Sequence, residues 1–211
     1  MILDMFPKYD VFKGLAADHN VIPVCTRVLA DMETPVSILS KFFSNEKECF
    51  LLESVEGGER WARYSFMGVS AFGSIKVFRD HVAIETLAGS ESIAHLGDPL
   101  DVIRTYSKKF IPALIPELPR FWSGFTGYFS YETVSFLEDI QVSLPEGTPY
   151  AHFIIPDEMI IFDNMKQTLT CLKICYLQPG QSPETVYNEA RNDLNHMLEI
   201  INSPVTRNLP L

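Results

Sequence analysis

A chain of 211 residues is long enough for one sizeable domain, and its formal charge of −10 excludes a phosphate-binding surface of the usual basic kind. With 46% hydrophobic and 12% aromatic residues it is globular rather than disordered. No apolar run is long enough to span a bilayer, and the first ten residues lack the regions of a signal peptide, so the expected location is cytoplasmic, with no membrane partner and no nucleic acid.

In chain order, a first helix opens at Thr34-Pro35, where a capping hydroxyl precedes a proline that needs no N–H partner. Four runs of strand character follow: Cys49 to Val55, Arg63 to Val69, Ser74 to Arg79 and Val82 to Leu87. Gly57-Gly58 reads as a turn between the first two, and Arg79-Asp80-His81 as the turn of a hairpin between the last two. A second helix opens at Asp98-Pro99. The proline-rich connector Ile111 to Pro119 is apolar enough to pack. An aromatic strand, Phe121 to Glu132, carries glycines at 124 and 127, which permit a bend or the close approach of a ligand or another strand. Met159 to Phe162 and Thr168 to Tyr176 form a second hairpin pattern. The third helix opens at Ser182-Pro183 and repeats Val186, Ala190, Leu194, Met197, Leu198 and Ile201 at spacings of three and four, one apolar stripe that covers a sheet. From Asn202 to Leu211 the period is lost. Hairpins of this kind make antiparallel sheet, so the fold class is α+β.

Motifs for chemistry are scarce. There is no phosphate loop, nucleophile elbow or zinc helix, and the five histidines are scattered. Cys25, Cys49, Cys171 and Cys175 have no zinc-finger spacing and are expected to be reduced, largely buried thiols, with Cys171 and Cys175 on one strand face. Two segments are denser in information. In the first, Glu53-Ser54 ends a strand and the chain returns through Arg63-Tyr64-Ser65-Phe66. A carboxylate and a hydroxyl there can meet the ammonium and carboxylate of an amino acid, with Leu52 and Phe66 against its side chain. The structural alternative is that Glu53 pairs with Arg60 or Arg63 to fasten the hairpin. The second is the aromatic strand itself, for which packing between sheets is the alternative to a ligand.

Leu51-Leu-Glu-Ser-Val-Glu-Gly-Gly-Glu-Arg-Trp-Ala-Arg-Tyr-Ser-Phe66 is preceded by Asn20-Val-Ile-Pro-Val24 and by Asp31 to Pro35. It is followed by Ser123-Gly-Phe-Thr-Gly-Tyr-Phe-Ser-Tyr-Glu132 and by Pro156-Asp-Glu-Met-Ile-Ile-Phe-Asp-Asn164. Together, in order and spacing, these segments resemble the amino-terminal domain of anthranilate synthase component I over nearly the whole chain. Ser123 and Glu132 depart from the glycine and aspartate of the family's aromatic block.

The resemblance implies antiparallel sheets packed together with helices on the outside. It also implies a regulatory domain over 1–201, and over 202–211 the start of a linker to a catalytic domain that packs against it. The family's enzyme converts chorismate to anthranilate and pyruvate with ammonia that a glutamine amidotransferase subunit delivers, using magnesium. Its chorismate and magnesium residues lie in the catalytic domain, so no catalytic residue, metal ligand or activity is expected in this chain. The amino-terminal domain carries part of the L-tryptophan feedback site. That role carries over to Glu53 and Ser54, with Leu52, Arg63, Tyr64 and Ser65 as neighbours. The alternatives are the corresponding domain of para-aminobenzoate synthase component I, which the Glu-Arg-Trp-Ala-Arg-Tyr-Ser-Phe run disfavours, and a free-standing amino-acid-binding module.

Overall fold

The computed structural model describes residues 2–30, 33–43, 48–53, 63–142 and 144–204. In chain order the elements begin with β1 (Ile2–Phe6), α1 (Tyr9–Leu15), β2 (Val21–Leu29), α2 (Pro35–Phe42) and β3 (Phe50–Leu52). Next come β4 (Tyr64–Val77), β5 (His81–Thr86), β6 (Gly89–Ala94) and α3 (Pro99–Ser107). The chain then runs through β7 (Thr126–Phe129), a 3-10 helix (Tyr131–Phe136), β8 (Ala151–Asp163), β9 (Thr168–Tyr176) and α4 (Pro183–Asn202). The class is α+β, and the ladders β1–β2, β2–β9, β3–β4, β4–β5, β5–β6, β7–β8 and β8–β9 are antiparallel. The chain folds as two compact units. One comprises Met1–Ser70, Ile111–Ser123 and Asp157–Leu211, the other Ala71–Phe110 and Gly124–Pro156.

In the first unit, β9 pairs along its full length with β2, from Val21 opposite Tyr176 to Leu29 opposite Thr168. Its other edge pairs with the end of β8, closing a hairpin at Asp163 opposite Thr168. β1 extends the ladder beyond β2. Both faces of β9 are buried, with Leu169 and Cys171 on one and Leu172 and Ile174 on the other, and Thr168 and Thr170 are buried with them. Cys171, Lys173 and Cys175 share one face, and α4 lies over it, with Asp193 3.0 Å from the Lys173 Nζ. The helix buries Ala190, Leu194, Met197, Leu198 and Ile201 as its period requires. Its first turn differs from the expected stripe: Tyr187 is buried where Val186 was expected to lead. The Tyr187 ring packs 5.2 Å from Phe12, and its hydroxyl donates to the Pro7 carbonyl at 3.0 Å.

Helix starts follow the local chemistry at two of three sites. Thr34 accepts from the Ser37 N–H at 3.1 Å while its own N–H donates to the Ser37 hydroxyl at 2.9 Å, a reciprocal capping box. Asp98 accepts from the Asp101 N–H at 3.0 Å. Ser182 makes no side-chain cap, leaving proline alone to start α4. Lys41 fixes α2 to the end of α4: its ammonium sits 2.6 Å from Glu33 and donates to the Ile201 carbonyl at 2.6 Å. The proline-rich connector does pack. Its Ala113 N–H donates to Val21 at 2.9 Å, and Ala113 and Ile115 are buried.

In the second unit, the end of β4 pairs with β5 from Gly73 opposite Thr86 to Val77 opposite Val82, and β5 pairs with β6. The expected turn lies where the sequence put it, closed by the Phe78 N–H donating to His81 at 2.8 Å. Two expected strands, split near Gly73, are instead the continuous β4. A Cβ at Gly73 would overlap the Glu85 carbonyl, so glycine there serves close pairing rather than a break. In α3, Tyr106 packs its ring on Phe110 and Phe125.

β7 pairs with the start of β8, Gly127 standing opposite Phe153. This settles the choice at the aromatic strand: the space beside Gly127 is filled by the backbone of β8, and a Cβ would overlap the His152 carbonyl. Gly124 turns the chain into β7 with φ of +132°, a conformation that favours glycine. Gly127→Ala must therefore push two backbones apart, at a cost on the order of 3 kcal/mol. The melting temperature should fall by roughly 6–12 °C; an unchanged value would show that the ladder accommodates the methyl.

Candidate functional site

β3 is short, and three cross-strand pairs place it on β4: Phe50 with Gly68, Leu51 with Met67 and Leu52 with Phe66. Gly68 leaves room for the Phe50 ring, which a Cβ would overlap. The pleat then sorts the expected site residues. Leu52, Tyr64 and Phe66 share one face of this pair of strands, and Ser65 lies on the other with Leu51 and Met67. Glu53 follows the last paired residue, so the ladder does not dictate which way it points. Ser54 and Arg60 lie outside the described residues.

Leu52 is 44% exposed, Glu53 is exposed, and the Glu53 carboxylate makes no ion pair or hydrogen bond among the described residues. Phe66 is the centre of an aromatic cluster. Its ring meets Phe121 edge-on at 5.0 Å and Tyr64 at 6.1 Å. Sequence reasoning had not placed Phe121 here. The only available signal was its position at the head of the aromatic segment, which does not say which strand its ring would meet.

Arg63 does not fasten the hairpin to Glu53. It grips Asp163 with two nitrogens, at 2.7 Å from Nη2 and 3.1 Å from Nε. Its carbonyl accepts from the Asn164 N–H at 2.8 Å, and the guanidinium lies 4.8 Å over the Tyr64 ring. Ser65 is buried, and its hydroxyl accepts from the Asn164 amide at 3.4 Å. Arg63 and Ser65 thus hold the start of β4 to the turn that joins β8 and β9, while Leu52, Glu53, Tyr64 and Phe66 remain on the candidate surface.

Burial works to raise the Asp163 carboxyl, but Arg63 and the N–H groups of Lys166 and Met165 outweigh it and hold it below the ordinary carboxylate range. Cys25, Cys171 and Cys175 are buried free thiols. Desolvation pushes Cys171 and Cys175 up to about 12 and Cys25 well above its usual value, so these thiols stay protonated and are poor nucleophiles. Among the described residues no three His, Cys, Asp or Glu side chains gather as a metal site. No described helix is long and apolar enough to cross a membrane.

No family model matches the chain. Curated relatives do. Anthranilate synthase component 1 of Acetivibrio thermocellus is 40% identical over 167 residues, which is 78% of this chain and 33% of the relative. The Acinetobacter calcoaceticus protein of the same name is 34% identical over 197 residues, 90% of this chain and 39% of the relative. That of Aquifex aeolicus is 36% identical over 182 residues, 85% and 36% of the two chains. This chain therefore spans between about a third and two-fifths of the length of these relatives. The crystal structure of anthranilate synthase component I from Streptococcus pneumoniae TIGR4 shares its fold with a TM-score of 0.50 at 23% identity, covering 84% of this chain and 37% of that one.

The Asp163 carboxylate yields a pH test. Its folded pKa lies below the unfolded value, so its stabilisation is complete above about pH 4 and is lost as pH falls through the folded value. Asp163→Asn should lower the urea midpoint at neutral pH, and the gap to the native chain should narrow on acidification. A gap that stays constant from about pH 6 to pH 3 would remove Asp163 from the acid limb.

Proposed function

Because this chain belongs to the anthranilate synthase component I family, we propose that it is the amino-terminal, tryptophan-sensing part of such an enzyme. The observation that carries this is the end of β3. There the Glu53 carboxylate, without a partner among the described residues, adjoins Leu52, whose cross-strand partner Phe66 stands in an aromatic cluster with Phe121 and Tyr64. The ammonium of L-tryptophan meets the Glu53 carboxylate, and the indole lies against the aromatic face. Ser54, adjacent in sequence, supplies a hydroxyl to the same amino acid.

The parent enzyme makes anthranilate and pyruvate from chorismate, with ammonia from a glutamine amidotransferase subunit. The catalytic remainder of the polypeptide is this chain's partner, and magnesium belongs to that remainder. Tyr128 and Phe129, on opposite faces of β7, and Tyr131 are 50%, 52% and 85% exposed, aromatic surface of the kind that a packing neighbour covers. Bound tryptophan favours an arrangement of the two parts that disfavours chorismate. By linkage, chorismate then weakens tryptophan by the same factor.

The experiment is to join the chain to its catalytic remainder and assay Ser54→Phe and Glu53→Gln. Both should relieve tryptophan inhibition about tenfold or more, the worth of one charge-assisted contact, with uninhibited turnover nearly intact. Full retention of sensitivity in both variants would sink the assignment. The chain by itself should produce no anthranilate from chorismate and ammonia, and measurable production would overturn the regulatory role.

A further inference from the structure

The second unit contains two adjoining hollows that the tryptophan site does not use. The smaller, about 460 Å³, is lined by Arg79, Phe136, Ile140, Gln141, Val142 and Tyr150 among others. The larger, about 630 Å³, shares Arg79, Val142 and Tyr150 with it. Charge distinguishes them. Asp80, His81 and Glu146 line the larger hollow, whereas Arg79 is the one charged side chain among the described residues lining the smaller. Arg79 makes no ion pair or hydrogen bond with a described residue, and neither does the Tyr150 hydroxyl.

The wall behind Arg79 is built in advance. The buried His95 ring donates from Nε2 to the Phe78 carbonyl at 3.1 Å and accepts at Nδ1 from the Gly97 N–H at 3.1 Å. This ties the β4–β5 turn to the turn before α3. The His95 ring meets Phe136 edge-on at 5.1 Å, and Phe136 lies 4.9 Å from Tyr150. Tyr150 is 7% exposed, and three backbone-directed bonds fix it. Its N–H donates to Val77 at 2.7 Å, while its carbonyl accepts from the Ser130 N–H at 2.7 Å and the Thr133 hydroxyl at 2.8 Å. A rigid aromatic wall thus stands beside a guanidinium uncommitted among the described residues and the Gln141 amide.

We propose that the smaller hollow binds a small organic acid with a flat apolar body, its carboxylate on Arg79 and its ring against Phe136, Ile140 and Val142. A guanidinium fork matches a carboxylate in two parallel hydrogen bonds, and the volume falls within the range of small-ligand sites. The ligand needs no ammonium, since no carboxylate among the described residues lines the hollow to receive one. This goes beyond the tryptophan assignment and does not depend on it, because Glu53 and Arg79 belong to different units.

Benzoate is the probe, with benzamide as its neutral counterpart, titrated into the 211-residue chain by calorimetry and by amide chemical shifts. Benzoate should bind about tenfold or more tightly than benzamide, and Arg79→Gln should abolish that difference. Tyr150→Phe should weaken benzoate a few-fold, and Glu53→Gln should leave it unchanged. Since the Arg79 side chain holds no other group among the described residues, Arg79→Gln should melt with the native chain, which separates lost binding from lost folding. Equal affinity for the two probes would overturn the site. So would benzoate binding that survives Arg79→Gln or disappears with Glu53→Gln, or no saturation by about 50 mM, weaker than ordinary small-ligand efficiency.

Discussion

Lys173 sits in the middle of β9 with 19% of its side chain exposed, its ammonium 2.9 Å from Asp157, 3.0 Å from Asp193 and 3.4 Å from Glu158. Burial by itself would lower its pKa, but the three carboxylates raise it, and the charge stays. A buried ammonium is tolerated only where it is paired, so β8 and α4 must both be in place before β9 can bury its two faces. Asp157 and Glu158 come from β8 and Asp193 from α4, and the same strand pairs with β2 on its other edge. The cluster has its own electrostatic tension: burial, with Asp157 and Asp193 as neighbours, raises Glu158 although Lys173 pulls it down. One cation therefore fixes how the first unit is assembled.

The candidate site inherits its geometry from that assembly. The turn joining β8 to β9 presents Asp163 and Asn164, and Arg63 and Ser65 at the start of β4 attach to them. Two residues that a linear reading groups with the ligand site thus serve as its anchor. The tethered strand then carries Tyr64 and Phe66 on one face, to which β3 adds Leu52. An alternating pleat divides neighbours in sequence between a buried support and an exposed surface, and both halves are needed.

The second unit solves a different problem with the same economy of polar groups. His95 uses both ring nitrogens on backbone partners, which locks two turns together. The aromatic tier of His95, Phe136 and Tyr150 gives this unit a rigid wall without a long helix behind it.

Local chemistry was legible in the sequence. Thr34-Pro35, Asp98-Pro99 and Ser182-Pro183 each start a helix, because proline's fixed φ and missing N–H act within one turn. The hairpin at Asp163 to Thr168 and the apolar stripe of α4 followed from periods of two and about 3.6 residues. The order of the family's segments made the resemblance readable from end to end. β6, Gly89–Ala94, was not legible: it is mostly exposed and polar, and only its pairing with β5 makes it a strand. Tertiary structure alone decided that Gly127 admits a strand rather than a ligand, that Arg63 turns to Asp163 rather than Glu53, and that Phe121 meets Phe66. Each is a choice between partners distant along the chain, and periodicity carries no information about which distant group arrives first within hydrogen-bond or ring contact.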